Sequence, residues 1–200
     1  MIADDRFRDA VARKVTEIEA HTDAEVVVVT APRSGSYRDV AMAVGAIASV
    51  LTFGFLLAIP WVVHPALAVA DLALAFVLVS WACDDRAAVV RLASPIRRER
   101  QVRLHAEAEF HREAVHATLR RTGLLVYVSA AEHRVELVPD VGIEARVPRA
   151  AWSEATAQLS AVDLDLFLRG LDAVGAILAQ HVPAVGERGV ELSDAPRMRS

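Results

Sequence analysis

Residues 41–63, AMAVGAIASVLTFGFLLAIPWVV, form an uncharged apolar stretch around which the rest of the sequence is arranged. An α-helix rises about 1.5 Å per residue, so a helix of this length crosses a hydrocarbon core of roughly 30 Å. A second apolar run, residues 66–83, follows His64-Pro65. A domain within a 200-residue chain can hardly enclose two helices that are apolar on every side. The two runs therefore predict a transmembrane helical hairpin, residues 38–85.

The charges on either side of this hairpin predict its orientation. The connection between the runs, residues 62–65, carries no Lys or Arg, whereas arginines flank both outer ends: Arg33 and Arg38 before the first run, then Arg86, Arg91, Arg97, Arg98 and Arg100 after the second. By the positive-inside rule both termini are expected in the cytoplasm. The charged N-terminus, MIADDRFRDA, has no apolar stretch and is not expected to act as a secretory signal peptide, so the hairpin is expected to direct insertion itself. We therefore expect a multi-pass protein of the inner (plasma) membrane.

The remaining sequence is typical of one α/β domain divided by the hairpin into residues 1–37 and 86–184, with a polar tail at 185–200. The run EVVVVT at 25–30 has no polar alternation, which indicates a strand covered on both faces. Further strands are predicted at 124–129 and 134–139. Apolar spacing predicts helices at 5–21, 95–121, 149–159 and 163–181, and Gly123 is expected to cap the second of these in a left-handed conformation.

Composition and motifs exclude several functions. The net charge is −4 and the pI about 6.0, so no nucleic-acid partner is expected. The single cysteine, Cys83, excludes an intramolecular disulfide and is interpreted as a small apolar helix residue. The sequence contains no P-loop, no HExxH, no G-x-S-x-G and no CxxC motif. Asp71 is an ionisable side chain within the second run, and a position within reach of the headgroups explains it better than a transport role.

Two polar clusters are candidates for chemistry. The first is acidic: Glu25, Glu132, Asp140 and Glu144 could hold Ca²⁺ or Mg²⁺ through oxygen ligands if they meet at one end of the sheet. The second lies in HAEAEFHRE at 105–113. There, His105, Glu109, Arg112 and His116 can share one helical face, which fits either a metal site or a solvated face with i,i+4 pairs.

Three stretches resemble the TPM domain family of thylakoid and bacterial proteins, and most closely its bacterial membrane branch. They are HTDAEVVVVTAPRSGSY at 21–37, the segment 110–143 containing RTGLLVYVSAAEHRVELVPDVGI, and the tail around Trp152, the last helix and residues 190–193. The resemblance implies a three-layer α/β/α sandwich around a small sheet, with the membrane segment inserted after the first strand. Soluble members commonly have Asp-Asp-Arg where this chain has Ala131-Glu132-His133.

The resemblance also implies alternatives for function. Relatives are associated with divalent-cation binding, acid-phosphatase activity, photosystem repair or membrane accessory roles, and Glu132, Asp140 and Glu144 are the acidic positions that match. We expect a membrane-anchored interaction or accessory module on the cytoplasmic face, with the lipid bilayer and a membrane or protein partner as its contacts. The alternative is a divalent-metal-dependent phosphatase or other hydrolase, with Ca²⁺ or Mg²⁺ as cofactor.

Overall fold

A computed structural model describes residues 5–60, 63–84, 87–184 and 196–198. The chain forms two compact units. The α/β unit combines Met1–Ser34 with Glu99–Ser200, and the helical unit is Gly35–Arg98. The fold is mixed α/β with a small open sheet of four strands among the described residues, which confirms the α/β class.

The elements follow in chain order. The helices are α1 (Asp5–Glu19), α2 (Arg38–Ala58), α3 (Pro65–Asp84), α4 (Ala87–Leu92), α5 (Pro95–Arg112), α6 (Val141–Glu144), α7 (Arg149–Gln158) and α8 (Leu164–His181). The strands are β1 (Glu25–Ala31), β2 (Gly123–Ser129), β3 (Arg134–Pro139) and β4 (Arg197–Met198). A short 3-10 turn, Val115–Ala117, precedes β2.

The sheet has the order β3-β2-β1-β4. Strands β1 and β2 run parallel, with Glu25 beside Gly123 and Ala31 beside Ser129. Strand β3 returns antiparallel to β2. Strand β4 pairs in parallel with Val29 and Thr30 of β1, although residues 185–200 were expected to be a polar tail. Residues 185–195 of that tail lie outside the described residues, as does Arg86 of the basic flank.

Each face of the sheet is covered by helices of the α/β unit. Alternate residues of β1 and β2, such as Val26 and Leu124, join a core with α1, α7 and α8. The intervening residues, such as Val27 and Leu125, pack in a second core with Val102, Ala106 and Phe110 of α5. This explains why β1 and β2 lack polar alternation: both their faces are buried.

In the helical unit, α2 and α3 pack against each other while their outer surfaces stay uncovered. The Ser49 hydroxyl donates to the Leu72 carbonyl across the pair at 2.9 Å. A Cβ on Gly45 would lie 2.0 Å from Ser80 Oγ and 2.8 Å from the Phe76 carbonyl oxygen, so the helices cross closely at this glycine. Helix α4, which was not predicted, lies against both helices.

Two local predictions around β2 are wrong. Helix α5 ends at Arg112 rather than near residue 121, because Ala114 adopts a left-handed conformation with φ 54° and starts the 3-10 turn. Gly123 is not a left-handed cap but the first residue of β2, and Arg121 takes the positive φ of 57°. A glycine is needed at 123 for a different reason, since a Cβ there would lie 2.1 Å from the Val115 carbonyl oxygen.

Candidate functional site

A buried polar network joins the carboxyl ends of β1 and β2. Glu132, in the turn after β2, is 2% exposed and accepts the backbone N–H of Ser34 at 3.1 and 3.2 Å through its two carboxylate oxygens. The Ser129 hydroxyl also donates to Glu132. The Ser34 hydroxyl donates to Ser129 Oγ at 2.6 Å and lies 3.0 Å from the Tyr127 hydroxyl. We call these four residues the Ser34–Glu132 clasp.

The hydrogen bonds of the clasp have a structural role: they hold two segments of the chain together. A buried carboxylate needs donors to offset its lost hydration, and a backbone amide and a hydroxyl supply them here. All four side chains of the clasp are at most 2% exposed, so the hydroxyls are enclosed within the protein. The clasp therefore fixes the segment that leaves β1 onto the turn that leaves β2. Sequence reasoning selected Glu132 but missed both serines, because Ser34 lies in a turn-rich connector with no motif of its own.

Asp140 lies at the opposite end of β2. It is 2% exposed and accepts two hydrogen bonds from Arg121, Nε to Oδ2 at 2.8 Å and Nη2 to Oδ1 at 3.0 Å. Its side chain also accepts the Val141 amide at 2.8 Å and so caps α6. The neighbouring residue, Arg120, forms a second ion pair with Asp23, in which Nη1 lies 3.1 Å from Oδ2. These contacts make Asp140 a capping and pairing residue.

The four acidic candidates do not all meet at one end of the sheet. Asp140 donates its amide to the Gly123 carbonyl at the start of β2, whereas Glu132 follows the end of that strand. The seven residues of β2 separate them by roughly 20 Å. Glu144 is exposed, and Glu25 sits at the Asp140 end. Within the described ranges, no group of three or more His, Cys, Asp or Glu residues is arranged to hold a metal ion.

The predicted face at residues 105–116 is divided by the end of α5. His105 is exposed and Glu109 is half of an ion pair with Arg112 at 2.9 Å. His116 lies beyond the helix, with its ring centroid 5.4 Å from that of His111. An i,i+4 pair, Arg103–Glu107 at 3.1 Å, also lies on α5. The Arg103–Glu107 pair is solvent-exposed, whereas Glu109 is 8% exposed, so the four residues do not share one solvated face.

Most of the large apolar side chains that the described part of the chain exposes lie in the helical unit. Both α2 and α3 are long and apolar enough to cross a membrane. Large apolar side chains are exposed along both helices: Ile47, Val50, Leu51, Phe53, Phe55, Leu57, Leu67, Val69, Leu74, Val77, Leu78 and Trp81. The exposed face of α3 also includes Asp71.

At the end of this unit where α2 begins, one arginine is firmly held. Arg97, in the first turn of α5, donates to both oxygens of Asp39 and to the Ser36 carbonyl at 3.2 Å. Its guanidinium carbon lies 5.5 Å from the centre of the Tyr37 ring. The Ser94 hydroxyl caps the same helix by accepting the Arg97 amide at 3.3 Å, as the Ser94-Pro95 pair suggests.

Comparison with known proteins gives a similarity in fold. The NMR structure of BA42 protein from the psychrophilic bacterium Bizionia argentinensis is similar to this chain with a TM-score of 0.58. The alignment covers 98% of this chain and 94% of that chain at 13% sequence identity. At this identity the similarity describes the fold alone. No family model matches the sequence, and no curated protein matches it.

Proposed function

We propose that this chain is a membrane-anchored module of the TPM domain family that serves as an interaction or accessory protein on the cytoplasmic face of the inner membrane. In this proposal α2 and α3 form a hairpin within the bilayer. The α/β unit would be a three-layer α/β/α sandwich in the cytoplasm, with both termini on that side. The sequence resemblance in the segment 110–143 supports the family.

The observation that carries the proposal is the exposed apolar surface of α2 and α3. Soluble proteins seldom expose a continuous apolar patch of more than a few hundred Å². Here one face of each helix is used for the contact around Gly45 and Ser49, and the remaining faces expose large apolar side chains such as Leu51, Phe55 and Val77. A lipid environment buries these side chains without another protein domain.

Membrane extraction tests the anchoring. We expect the full chain to remain in the membrane fraction after an alkaline carbonate wash and to be released by detergent. A variant lacking residues 38–85 serves as the matched control and is expected in the soluble or aggregated fraction. Release of the full chain by carbonate would contradict the proposal.

Cysteine accessibility tests the orientation. Cys83→Ser removes the chain's cysteine, and single cysteines are then introduced as His64→Cys between α2 and α3 or as Glu154→Cys on the exposed side of α7. A membrane-impermeant maleimide added to intact cells is expected to label the first and to reach the second only after permeabilisation. The reverse pattern would overturn the orientation while leaving the anchoring intact.

The alternative function, a metal-dependent hydrolase, has less support from the arrangement of the residues than the membrane-anchored module has. A two-carboxylate metal site needs its oxygens within a few ångströms of one ion, whereas Glu132 and Asp140 lie at opposite ends of β2 and both carboxylates already accept hydrogen bonds. This function stays a prediction, and the effect of divalent cations on the thermal midpoint tests it.

A further inference from the structure

Three arginines of the helical unit have no counterion among the described residues. Arg38 and Arg91 are exposed, and Arg98 is partly buried: its Nε is enclosed and has no hydrogen-bond partner in the described part of the chain. In contrast, Arg97 is bound by Asp39, so this acidic side chain is neutralised within the unit. Uncompensated guanidinium groups favour anionic partners, and they bind phosphate oxygens through paired N–H donors.

These arginines lie at one end of the helix pair. Helices α2 and α3 are antiparallel, since Gly45 meets Ser80 and Ser49 meets Leu72. The start of α2 and the end of α3 are therefore adjacent, and α4 lies against both. The opposite end, where α2 leads to α3, carries His64 and no arginine or lysine. Asp84 is the remaining described acid at the arginine end, and it has an interaction partner of its own.

Two large apolar side chains lie between the arginines in the sequence. Leu92, the last residue of α4, is 66% exposed, and Ile96, in the first turn of α5, is 80% exposed. The other side of α4 is buried through Val89 and Val90. A segment that exposes arginines together with apolar side chains, next to the end of a membrane helix, is typical of the membrane interface, where apolar groups enter the acyl boundary and cations meet headgroups.

We propose that Arg38, Arg91 and Arg98, with Leu92 and Ile96, form a collar that binds the headgroups of anionic phospholipids in the leaflet where α2 begins and α3 ends. This inference rests on the proposed membrane anchoring and adds the class of lipid. In this proposal the guanidinium groups contact the lipid phosphate, and the exposed Leu92 and Ile96 favour a lipid over a soluble phosphate.

Lipid selectivity of the full chain in nanodiscs tests the collar. Spin-labelled phosphatidylglycerol and spin-labelled phosphatidylcholine are compared by the fraction of each that the protein immobilises. The wild-type chain is expected to prefer the anionic lipid severalfold, and about 1 M salt is expected to reduce this preference by screening. Each arginine replaced by glutamine should lower this preference and replacing all three should abolish it, since one basic residue near an anionic surface is worth at most roughly 1 kcal/mol, about fivefold.

The matched control keeps the same change in net charge. The collar variant carries Arg38→Gln, Arg91→Gln and Arg98→Gln, and the control carries Arg13→Gln, Arg146→Gln and Arg149→Gln, which are exposed arginines of the α/β unit. Loss of selectivity in the collar variant and its retention in the control support the collar. Equal selectivity in all three proteins, or equal loss in both variants, would overturn it.

Further outcomes distinguish a failure of the lipid collar from a failure of the proposed membrane anchoring. If millimolar inorganic phosphate abolishes the preference for phosphatidylglycerol, the arginines form a site for a soluble anion and the lipid collar is wrong. If the wild-type chain stays embedded after a carbonate wash but shows no lipid preference, the collar fails while the anchoring stands. A chain that does not enter the nanodisc at all contradicts both.

Discussion

The carboxylate of Glu132 accepts the backbone amide of Ser34 through both oxygens, at 3.1 and 3.2 Å, although 98 positions separate the two residues. Ser34 is the last residue of the first segment of the α/β unit. The contact therefore fixes the point at which the chain leaves that unit. It does so through a buried side chain rather than through backbone pairing in the sheet.

Removing this carboxylate is expected to destabilise the α/β unit. Glu132→Ala leaves the Ser34 amide and the Ser129 hydroxyl buried without their acceptor, which costs about 1–3 kcal/mol for an unsatisfied buried group. Thermal unfolding of the full chain in detergent, followed by circular dichroism, measures the loss. Glu144→Ala, at an exposed carboxylate, is the control and should change the stability by about 0.5 kcal/mol or less. Equal midpoints for the two variants would show that the clasp does not stabilise the fold.

Asp140 and Asp163 both stand at a helix N-cap, although Asp140 accepts the amide of the next residue and Asp163 the amide three residues on. Comparing them tests what the Asp140 ion pair adds to capping. Asp163→Ala removes an exposed cap whose Oδ1 accepts the Leu166 amide at 2.9 Å, and it is expected to cost about 1 kcal/mol. Asp140→Ala removes a cap together with a buried carboxylate that Arg121 contacts twice, so its loss should be larger. Equal unfolding midpoints for the two variants would mean that the ion pair with Arg121 adds nothing to stability.

The two glycines of α2 are expected to respond differently to a methyl group. Gly45→Ala places a Cβ 2.8 Å from the Phe76 carbonyl oxygen, a backbone atom that moves only with α3, and overpacking of this kind costs about 1–3 kcal/mol. Gly54→Ala meets nothing within 4 Å, so it should be neutral or slightly stabilising. Thermal unfolding in detergent and cysteine cross-linking of α2 to α3 report the difference. A Gly45→Ala chain as stable as Gly54→Ala would contradict the close crossing.

Glu136 is expected to make stability fall as the pH rises. Burial raises the pKa of this carboxyl above its ordinary value of 4.5; Arg103 and Arg134 lower it and Glu99 and Glu107 raise it further. The folded chain then holds the proton at pH values where the unfolded chain has released it, so stability is lost as the pH passes through the folded-state pKa. Glu136→Gln removes this loss, and its gain in thermal midpoint should be largest at neutral pH and shrink below pH 4.5. Glu154→Gln, on an exposed face, is the control. A gain that does not change with pH would contradict this assignment.

Divalent cations are expected to leave the thermal midpoint unchanged. Glu132 and Asp140 are already hydrogen-bonded and lie roughly 20 Å apart, so Ca²⁺, Mg²⁺ or Mn²⁺ finds no shared site between them. A ligand at a hundred times its dissociation constant adds about 2.7 kcal/mol, which a thermal scan detects easily. A rise in midpoint that Asp140→Asn abolishes would favour the metal-dependent hydrolase instead.

Much of the fold could be predicted from local sequence patterns. The β-branched run at 25–30 and the apolar run at 124–129 become the predicted strands, because burial on both faces leaves an uninterrupted apolar sequence. The apolar run that begins at 41 lies in the predicted helix, α2. The end of α5 could not be predicted in this way. The left-handed turn at Ala114 has no glycine to mark it, and the contact of Gly123 with Val115 is made only once β2 is in the sheet.

The sequence by itself determined that the chain has two apolar helices, an α/β unit and a one-sided distribution of arginines, since periodicity, hydrophobicity and charge are properties of neighbouring residues. The tertiary structure alone decided which polar residues meet. It placed Glu132 with Ser34 and Ser129, placed Asp140 with Arg121, and separated the two acids by the length of β2. Strand register and direction set those contacts, and both arise from pairing between segments about a hundred residues apart, as β1 and β2 are.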